Sequence, residues 1–90
     1  MYTILVFYAL WDKHCDHMLQ ELKEHPITLP DVKFMLVDYE EAIDMTDNYH
    51  ISFVPSFVVK ADSGACLGIK RGFTDIADLE TFIKQSINGK

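Results

Sequence analysis

Cysteine is scarce in this sequence. Only Cys15 and Cys66 occur among 90 residues, and they are fifty-one positions apart. Two cysteines are too few for the disulfide framework that stabilises small secreted domains. The sequence therefore favours a reducing, cytoplasmic environment. No repeat, low-complexity tract or linker divides the chain, so we expect one domain over residues 1–90.

Basic residues and long apolar runs are also scarce. Eight Lys and Arg stand against fourteen Asp and Glu, giving a net charge of −6. Because phosphate backbones would be repelled, nucleic acid is not an expected partner. The apolar run at the start of the chain is about ten residues long, too short to span a bilayer, and it has no basic region of the kind a signal peptide carries. A membrane is therefore not an expected partner either.

Hydrophobic residues make up 49% of the chain, and the aromatics are six Phe, four Tyr and one Trp. This content predicts a packed interior. Residues 2–9 form a nearly continuous apolar run, typical of a strand buried on both faces. Asp12 is a good helix N-cap, and the apolar stripe that begins at Cys15 predicts a helix ending near His25 and Pro26. Residues 32–37 read as a second strand, closed by Asp38.

The second half of the chain predicts a helix, a hairpin and a final helix. A short helix is expected over residues 40–49, with Ile43 pointing away from its apolar face. Strands over 56–60 and 65–70 are joined by a four-residue turn, and a final helix runs from a cap at Thr74 or Asp75 to Asn88. The order is βαβαββα, an α/β architecture. The first two strands should be parallel and the last two antiparallel, which gives a four-stranded mixed sheet with three helices.

Two segments in this element order, residues 7–15 and 53–57, resemble the thioredoxin family. That family has a Trp-Cys-Gly-Pro-Cys segment at a helix start and a hydrophobic residue followed by cis-proline at a later strand. Trp11 and Cys15 match the first segment, and Val54-Pro55 matches the second. The resemblance covers nearly the whole chain and implies a short, glutaredoxin-sized thioredoxin-like fold.

The departures from the family concern its redox chemistry. Asp12 stands at the first, nucleophilic cysteine, so the motif reads Asp-Lys-His-Cys. Val6 occupies the position of the buried acid that relays protons in the family. Leu36 occupies about the position of the lysine that often neighbours that acid. Asp38 and Gly72 do match positions that the family uses. The resemblance implies that ordinary dithiol chemistry is impaired.

Four residues at the helix start are candidates for any remaining catalysis. Cys15 stands at the resolving cysteine, and a carboxylate at Asp12 should disfavour its thiolate, whereas Lys13 and a protonated His14 should favour it. The sequence does not decide whether these neighbours together raise or lower the pKa of Cys15. Asp12 also reads as a structural cap, and His14 as an exposed turn residue.

The resemblance also implies a binding surface, on which Trp11, Val54, Pro55 and Gly72 border a shallow apolar groove. In the family, the backbone before the proline pairs with an extended substrate peptide. A purely structural interpretation of Pro55 is a tight turn into a strand. We expect no cofactor, and Cys66 reads as a small buried hydrophobe.

Residues of metal-ligand type cluster at the helix start. His14 and His17 nevertheless lie on a different helical face from Cys15. We therefore expect no metal there.

Two functions remain from the sequence. The first is a redox-inactive or weakly active module that binds an extended protein segment. The second is a single-cysteine thiol–disulfide oxidoreductase in which Cys15 reacts with glutathione or a protein thiol. The second requires an accessible Cys15.

Overall fold

The computed structural model describes residues 1–89. Its seven elements follow the predicted order, and their bounds are β1 Tyr2–Tyr8, α1 Lys13–Glu24, β2 Val32–Asp38, α2 Ile43–Asn48, β3 Ser56–Ala61, β4 Cys66–Arg71 and α3 Ile76–Asn88. The α/β thioredoxin-like architecture predicted from the sequence is confirmed. Within the described residues, no helix is long and apolar enough to cross a membrane.

The four strands form one mixed sheet in the order β2-β1-β3-β4. β1 pairs in parallel with β2 and antiparallel with β3, and β3 pairs antiparallel with β4. β1 therefore lies inside the sheet, with helices on both of its faces. This explains its continuous apolar sequence, because Ile4, Leu5, Val6 and Phe7 are all buried.

The core lies on both faces of the sheet. On one face, Ile4 and Val6 of β1 pack with Met18 of α1 and with Leu79 and Ile83 of α3. Each fully buried side chain of this size contributes about 1.5–3 kcal/mol to stability. The opposite face is covered by α2, and its core includes these residues: Leu5, Phe7, Val37, Val58, Ala42, Met45 and Tyr49.

Side-chain caps fix the starts of α1 and α3. Asp12 caps α1 as predicted, and Asp75 rather than Thr74 caps α3 by accepting a hydrogen bond from the Asp78 amide. The predicted helix over residues 40–49 is too long, because α2 spans only Ile43–Asn48. The reason is Asp38, whose carboxylate accepts a hydrogen bond from the Glu40 amide and holds the chain in a turn.

The prediction that Cys66 is buried is wrong. Cys66 is exposed and begins β4, which is an edge strand of the sheet. It pairs with Lys60, where the ladder shifts register after Val59. An apolar pattern does not distinguish an edge strand from an inner one, so the error comes from strand order.

Candidate functional site

A tight turn leads from β1 into α1 and places Asp12 at the helix start. The Asp12 amide donates to the Ala9 carbonyl at 3.2 Å, which closes the turn. Oδ1 of Asp12 accepts the amides of His14 at 2.8 Å and Cys15 at 3.2 Å. Amides in the first turn of a helix have no partner within the helix, and they are the groups that stabilise an anion there. The carboxylate of Asp12 therefore already occupies the anion position of this helix.

Cys15 lies directly beneath this cap and is fully buried. Burial raises the pKa of its thiol above the ordinary value, and the amide of Ala9, which donates to Sγ at 3.4 Å, lowers it in part. The negative charges of Asp12 and Asp16 raise the pKa further. The sequence left open whether the pKa of Cys15 is raised or lowered, and the structure shows that it is raised. The thiol is protonated near neutral pH and shielded from solvent.

The structure separates Lys13 and His14 from the thiol. Both residues are exposed, and Nδ1 of His14 lies 3.5 Å from Oδ1 of Asp12 rather than beside the sulfur. The Asp12 carboxylate connects His14 and Cys15, because it accepts a hydrogen bond from the backbone amide of each. Lys13 projects from the first turn of α1, and within residues 1–89 its side chain has no hydrogen-bond or ion-pair partner. In the part of the chain that the structure describes, no three His, Cys, Asp or Glu side chains form a group that could hold a metal ion.

The segment before β3 packs against the same corner. Val54 belongs to the buried cluster that contains Ala9 and Cys15, so the two segments meet. The Val54–Pro55 peptide bond is cis, and the Pro55 carbonyl accepts the Gly72 amide at 2.8 Å. Gly72 has φ +92°, a backbone conformation that favours glycine. The structure therefore places Val54, Pro55 and Gly72 together.

Exposed apolar side chains flank this corner. Trp11 is 63% exposed, and Leu10 and Phe53 are also exposed. Leu10 follows Ala9 in the turn, and Phe53 precedes Val54. We call Leu10, Trp11 and Phe53 the apolar rim. Sequence analysis identified Trp11 but missed Leu10 and Phe53, although both are apolar residues inside the motif segments 7–15 and 53–57, which was the available signal.

The β1–β2 ladder carries no titratable group at the two positions where the family has an acid and its lysine neighbour. Val6 and Leu36 are neighbours across the β1–β2 ladder. They line an apolar cavity of about 260 Å³, whose other walls are Leu19, Leu22, Pro26, Ile27 and Phe34. A proton relay needs a group that can bind and release a proton, and none of these side chains has one.

Comparison with known proteins shows a family. The sequence model of the thioredoxin family matches residues 2–85. No curated protein matches the chain significantly.

Solved thioredoxin structures superpose well on this chain. Mitochondrial thioredoxin 3 of Saccharomyces cerevisiae, in its oxidized form, is 30% identical over 92% of this chain and 76% of its own, with a TM-score of 0.79. A mutant thioredoxin from Halobacterium salinarum is 26% identical over 94% of this chain and 74% of its own, with a TM-score of 0.78. Fasciola hepatica thioredoxin, with 21% identity over 94% of this chain and 80% of its own and a TM-score of 0.81, shows the shared fold alone.

Proposed function

The chain belongs to the thioredoxin family, and we propose that it acts there as a redox-inactive module that binds an extended protein segment. The observation that carries this proposal is the carboxylate of Asp12, which accepts the His14 and Cys15 amides at the helix start. In a dithiol enzyme of this fold, those amides would stabilise the attacking thiolate.

The buried thiol supports the loss of redox chemistry. Thiol–disulfide exchange begins when a thiolate attacks one sulfur of a disulfide and displaces the other as a thiolate. Cys15 is fully buried, and its pKa is raised, chiefly by burial. Both effects slow attack on glutathione disulfide or on a protein disulfide. They weigh against a single-cysteine enzyme.

The backbone of Val54 supports a binding role. Within residues 1–89, no hydrogen bond involves the peptide N–H or C=O of Val54. Such a free pair of groups can bind an extended peptide through its main chain. The apolar rim beside it can take side chains of that peptide. The partner we propose is therefore an extended protein segment with apolar side chains, bound in a cytoplasmic, reducing environment.

The redox half of the proposal is tested with an insulin-reduction assay. We expect wild-type protein to reduce insulin no faster than dithiothreitol alone. Asp12→Cys should introduce activity, because it restores a Cys-Lys-His-Cys pair at the helix start. Asp12→Ser is the matched control, since it keeps the cap without a thiol. Wild-type activity that disappears in Cys15→Ser would show the single-cysteine enzyme instead.

The binding half is tested with decapeptides selected from a displayed library against the wild-type protein. Trp11→Ala should weaken binding of the selected peptides by at least about tenfold, as expected for a central aromatic contact. Leu67→Ala is the control, because Leu67 is also an exposed apolar residue but lies on β4. Equal affinities of the two variants would place the peptide site elsewhere.

A further inference from the structure

β2 is an edge strand with little of the usual protection against further pairing. It spans seven residues, about 23 Å at the rise of an extended chain. No strand pairs with its outer side within residues 1–89. Edge strands are commonly protected by proline, bulges or charged side chains, especially lysine. β2 contains no proline and pairs with β1 in one continuous register, and its charged residues are Lys33 near its start and Asp38 at its end.

Apolar side chains along β2 project on both faces of the sheet. Leu36 is 56% exposed and Met35 is 46% exposed, and adjacent residues of a strand point to opposite faces. Leu36 and Phe34 border the apolar cavity beside α1. Met35 borders a second groove, beside α2. A strand added at this edge would therefore find apolar contacts on both faces.

We propose that β2 pairs antiparallel with β2 of a second copy of this chain, so that two four-stranded sheets form one eight-stranded sheet. This inference is independent of the proposed peptide binding, which uses the apolar rim and the Val54 segment rather than the β2 edge. A twofold axis through the centre of the strand makes the interface self-complementary. In this register Met35 lies opposite Met35 of the second copy.

Side-chain complementarity supports this register. Directly opposite residues of an antiparallel pair share a face of the sheet. With Met35 on the axis, Phe34 lies opposite Leu36 of the second copy, twice by symmetry. Each exposed Leu36 is thus covered by an aromatic ring on the face where both residues already border the cavity.

Charge complementarity supports the antiparallel direction. The lysine of the strand, Lys33, lies near its start, and the strand ends at Asp38, followed by Glu40 and Glu41. Antiparallel pairing places Lys33 opposite Val37 of the second copy, on the face where Glu41 borders the same groove as Met35 and Val37. A parallel pair in register would instead place the two Lys33 side chains opposite each other, which is unfavourable.

Sedimentation equilibrium tests the association. A single paired edge buries a small interface, so we expect a dimer in the range of micromolar to hundreds of micromolar concentration, with a mass twice the 10.4 kDa of the chain. Leu36→Lys should weaken the dimer by at least about tenfold, as expected for charge at an apolar contact. Leu67→Lys, on the opposite edge strand β4, is the matched control and should leave it unchanged. Circular dichroism checks that both variants fold.

Disulfide trapping tests the register. In a Cys66→Ser background, Met35→Cys should form a covalent dimer on mild oxidation, because opposite Cα atoms in an antiparallel pair are about 4.5–5.5 Å apart, within disulfide range. Lys33→Cys is the control, because its two introduced thiols would be offset by about four positions, or about 13 Å, along the paired strands. A wild-type protein that stays monomeric up to about 1 mM by sedimentation, or cross-linking of Lys33→Cys but not Met35→Cys, would overturn the proposal. Trp11→Ala should leave the dimer unchanged, which separates this test from that of peptide binding.

Discussion

Asp12 acts on Cys15 through both the backbone and charge. Its carboxylate accepts the Cys15 amide, and its negative charge contributes to the raised pKa of the thiol. An N-cap of this kind stabilises a protein by about 1 kcal/mol relative to alanine. One substitution relative to the family motif therefore removes the outer thiol, strengthens the helix start and disfavours the remaining thiolate.

The raised pKa of Cys15 predicts a loss of stability at high pH. The thiol is protonated in both folded and unfolded chains at neutral pH. As the pH rises past the ordinary value of 9.0, the unfolded thiol ionises first, because burial disfavours the folded thiolate. The free energy of unfolding should therefore fall from about pH 9 upward, until the folded thiol also ionises. Urea unfolding at intervals between about pH 8 and about pH 10.5 measures this decline.

Two variants isolate the contribution of Cys15 to this decline. Cys15→Ala should show a smaller decline than wild type over the same pH range, whatever its stability at neutral pH. Cys66→Ala should keep the wild-type decline, because Cys66 is exposed and its thiol stays in contact with water on folding. Equal declines in wild type and Cys15→Ala would contradict a buried, protonated thiol.

At the scale of elements, α2 is the weakest helix of the fold. It has six residues, its N-cap residue Ala42 makes no side-chain capping bond, and its last turn has no basic residue. Short helices gain little from their own hydrogen bonds, so α2 depends on packing by residues such as Met45 and Tyr49. Its charges should therefore have measurable effects on stability.

Asp44 and Asp47 are expected to have opposite effects on α2. Asp44 lies in the first turn, where a negative charge is favourable, whereas Asp47 lies near the end, where it is unfavourable. Asp44→Asn should lower the free energy of unfolding by about 0.3 kcal/mol, and Asp47→Asn should raise it by a similar amount. Each variant is the control for the other, because both remove one exposed carboxylate. Urea midpoints that shift in the same direction would rule out the helix dipole as the cause.

The elements that could be predicted from the sequence are those with strong local signals. The apolar run of β1 and the Asp12 cap identified the first strand and the start of the first helix within one residue of their observed bounds. The start of α2 depends on a turn held by the Asp38 carboxylate, and the exposure of Cys66 depends on which strands lie at the edges. These features follow from tertiary structure and could not be read from periodicity. For the candidate site, burial of Cys15 decided the sign of its pKa change, which neighbouring charges alone left open.

For the whole molecule, negative charge is in excess and is concentrated. The net charge is −6, and five carboxylates lie within residues 38–47. Within residues 1–89, ion pairs with the N-terminus or a lysine engage three of the fourteen side-chain carboxylates. Folding brings these charges close together, because the folded molecule has a radius of gyration of only 12.2 Å. Repulsion should therefore be stronger in the folded chain than in the expanded, unfolded chain.

This excess charge predicts that salt stabilises the protein. At 0.01 M ionic strength the Debye length is about 30 Å, larger than the folded molecule's radius of gyration, whereas at 0.1 M it is about 10 Å. The urea midpoint should rise between these sodium chloride concentrations, because screening relieves the repulsion mainly in the folded state. The triple variant Glu40→Gln, Glu41→Gln, Asp47→Asn, with a net charge of −3 instead of −6, should show a smaller rise. A midpoint that falls with added salt would mean that attractive pairs, such as Lys70 with Asp78 at 2.7 Å, outweigh the repulsion, because screening weakens both.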